Sequence, residues 1–265
     1  MEPSFVTVGD GCRIAYRFDG PADRPVLVLS NSLGTHLGMW EPQLAAFTQR
    51  FRVMRYDSRG HGASDAPPGA YSMDRLGRDA VELLDALGLE RVHFCGLSKG
   101  GMVGQWLGFR APERIHRLVL ANTAPYMGPP SGWQQRIETV LREGMAPIAG
   151  GSAARWFTPE FQSRAPGVVQ SVLDTLRSIS PGGYAGCCAA IRDMDLRPTA
   201  PLIVPPTLII AGTRDPSTPP DDAEALARAM RSSPHLVKVE AAHLSNVEQP
   251  EAFARAVLEF LEGTP

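Results

Sequence analysis

Four short runs, VLVLS (26–30), FRVMRY (51–56), VHFCG (92–96) and RLVLA (117–121), are apolar along all or nearly all of their length. A strand with one wet face alternates polar and apolar residues, whereas a strand buried on both faces reads as these runs do. Between the second and third runs, Leu76, Ala80, Leu83, Leu84 and Leu87 recur at helical spacing, and Gly88 then supplies a stop. TLIIAG (207–212) and LVKVE (236–240) resume the strand series, each followed by a helical stretch. Strands that alternate with helices form a parallel sheet with crossover connections and helices on both faces. Ahead of the series, SFVTV and RIAYRF flank Gly9-Asp10-Gly11 and read as a hairpin.

Residues 127–198 break this rhythm. They open on Gly128-Pro129-Pro130 and contain helical stretches such as WQQRIETVLREGM and VVQSVLDTLRSI, with no strand candidate. An all-helical insertion between two strands of a parallel sheet is expected to form a lid over the carboxyl ends of the strands. The expected organisation is therefore a core made of residues 1–126 and 199–265, with a lid at 127–198. A formal net charge of -2 over 265 residues gives no electrostatic footprint for nucleic acid or an anionic membrane. The start of the chain shows no signal peptide, and no apolar run is long enough to span a bilayer. Cys12, Cys95, Cys187 and Cys188 have neither metal-ligand nor disulfide-framework spacing, which fits reduced thiols in a cytoplasm. Nothing in the pattern assigns an oligomeric state.

The stretch GLSKGG (96–101) carries G-x-S-x-G between a strand and a helix, the setting that a nucleophile elbow requires. A phosphate-binding Walker loop is excluded, because Lys99 follows Ser98 and the G-x-x-x-x-G-K-[ST] spacing is absent. A serine nucleophile needs a base and an orienting carboxylate. Asp215 follows the strand TLIIAG and His243 follows LVKVE, so both are expected at the same sheet edge as Ser98. The oxyanion donors are expected to be the backbone N–H groups of Lys99 and of Leu33, in the loop after VLVLS.

These stretches, together with SNSLGTHLGMWEPQ, RYDSRGHGAS, GYAGCCAAIRDMDLR and AGTRDPSTPPDDAE, resemble α/β-hydrolases, and within them the 3-oxoadipate enol-lactonases. The resemblance implies an α/β-hydrolase fold, with a mostly parallel eight-stranded sheet and a helical lid. It also implies no cofactor or metal, and opening of a small carboxylated lactone to 3-oxoadipate in cytoplasmic aromatic catabolism. Cys187 and Cys188 become lid-packing residues by the same resemblance. The family usually has methionine or another neutral residue where this chain has Lys99. The Lys99 side chain is expected to attract the anionic substrate, to lie near His243, or to reach solvent along the lid rim. An anionic substrate calls for a cation. Arg136 and Arg192 in the lid are the substrate-binding candidates, competing with Arg59 and Lys99, and Trp133 is a candidate pocket wall. His61 in RGHGAS is expected to pack or hydrogen-bond within its turn. The alternative activities are a general carboxylesterase or cofactor-free perhydrolase of the same fold, or a ligand receptor built on it.

Overall fold

The structure is a computed structural model and describes residues 2–263. Strands β1 (Ser4–Thr7) and β2 (Arg13–Asp19) form the antiparallel hairpin, and β2 runs antiparallel to β4 (Arg52–Tyr56). From β4 onward the sheet is parallel, through β3 (Val26–Ser30), β5 (Val92–Leu97), β6 (Ile115–Ala121), β7 (Thr207–Gly212) and β8 (His235–Val239). The order of this eight-stranded sheet is β1-β2-β4-β3-β5-β6-β7-β8. The apolar runs become its central strands for the reason the pattern gives: Leu27, Leu29, Cys95, Leu97 and Leu120 are all fully buried.

Register decides where the strands end. Ser30 pairs with Gly96, Leu97 with Ala121, Ala121 with Ile210, and Gly212 with Val239. The carboxyl ends of β3, β5, β6, β7 and β8 thus finish in one row, the edge at which open α/β sheets hold their ligands.

Helices α1 (Glu41–Phe47), α2 (Met73–Ala86) and α3 (Lys99–Arg110) fill the first crossovers. Helix α2 starts where Ser72 Oγ accepts the Arg75 N–H at 3.1 Å, and Gly88 at φ 65 lies just past its end. Between β6 and β7 come α4 (Pro130–Glu143), α5 (Ala146–Trp156), α6 (Pro159–Arg164), α7 (Pro166–Ser178) and α8 (Pro181–Asp193). Helices α9 (Pro220–Ala229), α10 (Ser245–Glu248) and α11 (Pro250–Glu262) follow. One hydrophobic cluster runs without a break from sheet residues such as Leu29 into Val140, Leu176 and Ile191 of the helical segment. The four cysteines are free and buried, Cys187 and Cys188 among them. Among the described residues no helix is long and apolar enough to cross a membrane.

Candidate active site

The turn between β5 and α3 is set by two backbone approaches. A Cβ built on Gly96 would lie 2.1 Å from the Gly100 carbonyl oxygen, and one built on Gly100 would lie 2.1 Å from that of Ser30. Only glycine fits at either position. Between them Ser98 takes φ 57 and ψ -115, a backbone that a side chain disfavours. That backbone lifts the Ser98 hydroxyl out of the strand and aims it along the sheet edge.

His243 and Asp215 meet it there. His243 Nε2 lies 2.9 Å from Ser98 Oγ, and His243 Nδ1 lies 2.8 Å from Asp215 Oδ2. Asp215 receives further hydrogen bonds: Asn122 Nδ2 donates at 3.0 Å, Thr218 Oγ1 at 2.7 Å and the Ser217 N–H at 2.8 Å. Burial alone would raise the carboxyl pKa, but the His243 charge and the bonds from His243, Asn122 and Thr218 outweigh it. Asp215 therefore lies below its ordinary value and stays ionised. The loop that carries His243 is tied down by Glu248, whose carboxylate accepts the Ala242 N–H at 3.0 Å.

The β3 loop is fixed from below. Asn31 Nδ2 donates to the Tyr56 carbonyl at 2.8 Å, and Trp40 Nε1 donates to Asn31 Oδ1 at 2.9 Å. Leu33 in this loop lines the same cavity as Ser98 and His243. Lys99 opens α3, so its N–H has no acceptor within the helix.

This cavity holds about 160 Å³, and Trp133, Arg136, Arg155, Trp156 and Tyr184 line it as well. The Arg136 guanidinium stacks 4.8 Å from the Trp133 ring centroid, and Trp133 Nε1 is anchored on the Met127 carbonyl at 2.7 Å. Arg142, Arg192 and Arg214 in and around the helical segment pair with Glu143, Asp193 and Glu160. Among the described residues neither Arg136 nor Arg155 has a carboxylate partner.

The sequence-derived candidates separate accordingly. Ser98, Asp215, His243, Leu33, Trp133 and Arg136 come together around one cavity. Arg192 does not. It ends α8 in a two-toothed pair with Asp193 and bonds Gln134 Oε1 at 2.6 Å, so its charge is satisfied away from the cavity. Arg59 is likewise locked to Asp79 and Asp10. The Lys99 side chain does not reach solvent along the lid rim. It is 0% exposed, its Nζ has no hydrogen-bond partner among the described residues, and its electrostatic neighbours include Cys187, Asp57 and His61. Three residues escape the sequence reading: Asn122 at the end of β6, Thr218 beside Asp215, and Arg155. The one available signal for Arg155 is that Ser152, Arg155 and Trp156 share a face of α5 at i, i+3 and i+4.

The alpha/beta hydrolase fold family matches residues 25–250. The chain belongs to this family. Within the alpha/beta hydrolases, the chain is similar to 3-oxoadipate enol-lactonase 2 of Acinetobacter baylyi, at 46% identity over 91% of this chain and 90% of the relative. It superimposes on a hydrolase from Pseudomonas aeruginosa at 50% identity and TM-score 0.95, covering 98% of both chains. The enol-lactonase from Burkholderia xenovorans LB400 aligns at 42% identity and TM-score 0.96, over 98% of this chain and 100% of that one. Similarity of this extent to enol-lactonases makes the chain an alpha/beta hydrolase of the carboxylic ester hydrolase class.

Proposed function

We propose that this protein opens the ring of 3-oxoadipate enol-lactone to 3-oxoadipate through a covalent acyl-enzyme on Ser98. The observation that carries this reading is the shared cavity: a hydrogen-bonded Ser98–His243–Asp215 chain shares it with the guanidinium of Arg136, which has no carboxylate partner among the described residues. A nucleophile that shares a cavity with a cation lacking a carboxylate partner suits an acyl substrate that carries a carboxylate. The similarity to enol-lactonases supports the same substrate.

In this reading His243 Nε2 takes the Ser98 proton while Asp215 holds the imidazole tautomer and stabilises its cation. Ser98 Oγ attacks the lactone carbonyl, and the N–H groups of Leu33 and Lys99 receive the developing oxyanion. The ring carbon–oxygen bond breaks with its electron pair leaving as an enolate, which takes the proton back from His243 and stays tethered through its acyl group. Water activated by His243 then hydrolyses the ester on Ser98. The helices between β6 and β7 act as a lid, in which Arg136, held by Trp133, binds the carboxylate.

Steady-state kinetics test this with three compounds: the enol-lactone acid, its methyl ester and a neutral aryl acetate. The acid should have the highest kcat/KM, and the methyl ester should lose mainly in KM. Faster turnover of the aryl acetate would replace the lactonase reading with a general carboxylesterase.

A further inference from the structure

The cavity holds more positive charge than its substrate has negative charge. The enol-lactone brings one carboxylate, yet both Arg136 and Arg155 face the cavity without a carboxylate partner among the described residues. The recorded side-chain partner of Arg155 is neutral: Nη2 donates to Ser152 Oγ at 3.1 Å. Burial, and then the charge of Arg136, push its pKa below the ordinary arginine value. Two like charges near each other in a small, partly closed cavity repel, and the repulsion is relieved when negative charge arrives.

A second negative charge appears during the reaction itself. When Ser98 Oγ bonds to the carbonyl carbon, the ring carbon–oxygen bond breaks and its electron pair departs on the ring oxygen as an enolate. The Ser98 proton is by then on His243, which returns it to the enolate as the ketone forms. In this lactone the ring oxygen and the carboxylate carbon are separated by only two carbons, so both anionic centres fall within reach of neighbouring guanidiniums. A charge matched only in the transition state accelerates the step, whereas one matched equally in the ground state does not. We propose that Arg155 is a catalytic residue that stabilises the departing enolate oxygen while Arg136 holds the carboxylate. This rests on the lactonase reading above. The competing arrangement has both guanidiniums clamping the one carboxylate.

Three substrates separate the two arrangements. The enol-lactone has both the carboxylate and the enolate leaving group. α-Angelica lactone keeps the enol-lactone ring and its enolate but lacks the carboxylate. p-Nitrophenyl acetate lacks the carboxylate and leaves as a far less basic phenolate. Arg155→Met should lower kcat/KM about 10²-fold on both lactones, the scale of one lost transition-state donor. On p-nitrophenyl acetate it should stay within about threefold of wild type, and Arg155→Lys should recover part of the lactone loss. Arg136→Met should reduce kcat/KM much more on the enol-lactone acid than on α-angelica lactone. Equal losses on all three substrates for Arg155→Met, or a loss confined to the acid, would overturn the assignment. If wild type ignores the enol-lactone acid while the contrast between α-angelica lactone and p-nitrophenyl acetate persists, the substrate reading fails and the role of Arg155 stands.

Discussion

The backbone N–H of Gly34 donates to His61 Nε2 across 2.9 Å, tying the loop that holds Leu33 to the RGHG turn after β4. Accepting that bond places the ring proton on Nδ1, which faces the Arg59 carbonyl at 3.4 Å and Cys187 Sγ at 3.8 Å. Burial first, and the nearby Lys99 second, hold the His61 pKa well below the ordinary histidine value, so the acceptor lone pair persists. His61→Phe should cut kcat about 10- to 100-fold by misplacing the oxyanion loop, with KM little changed. His61→Gln, whose amide oxygen can take the same N–H, should recover most of that loss. Equal defects in the two variants would mean that His61 only fills space.

The buried Lys99 side chain gives a stability prediction with a defined sign. Burial lowers its pKa from 10.5 in the folded state, so the unfolded chain binds the proton more readily. That difference favours unfolding at neutral pH and fades as pH rises toward 10.5. Lys99→Met should raise stability at pH 7 by about 1–3 kcal/mol, the usual cost of a buried polar group without a partner. The gain should shrink in thermal melts recorded at increasing pH, while turnover is kept because residue 99 still offers its N–H. A gain independent of pH would place the effect in packing instead.

Much of this was legible in the chain, and the exceptions have physical causes. The central strands are readable because burial on both faces leaves unbroken apolar runs, and Ser98, Asp215 and His243 because each lies in the loop just past the carboxyl end of a readable strand, β5, β7 and β8. Lys99 was not, since lysine almost everywhere else reaches solvent, whereas here it is fully buried with Cys187 and Cys188 of α8 among its electrostatic neighbours. Arg192 was misplaced and Arg155 missed for a single reason. Which arginine of a helical segment faces inward depends on helix rotation and packing, and Asp193 beside Arg192 satisfies that charge locally.

Ser98 at φ 57 holds backbone strain that only glycine relieves. Ser98→Gly should therefore unfold at higher denaturant than Ser98→Ala, by about 1 kcal/mol. Both should be inactive. Gly100→Ala has no such freedom, with its Cβ 2.1 Å from the Ser30 carbonyl oxygen, and should lose more than about 3 kcal/mol or fail to fold.

Asp215→Asn removes the counter-charge and presents His243 with a group able to stabilise the wrong tautomer. The expected loss in kcat is on the order of 10³ to 10⁴. Thermal melts should show the variant folded, and a near-normal rate would remove Asp215 from the mechanism.

Lactone opening through Ser98 is read out by the ultraviolet absorbance of purified 3-oxoadipate enol-lactone on adding the wild-type protein and its Ser98→Ala variant at equal concentration. Wild type should remove the lactone rapidly, and the variant should show no loss above the spontaneous rate. Lactone that persists with the wild-type protein, or that disappears equally fast with Ser98→Ala, would contradict it.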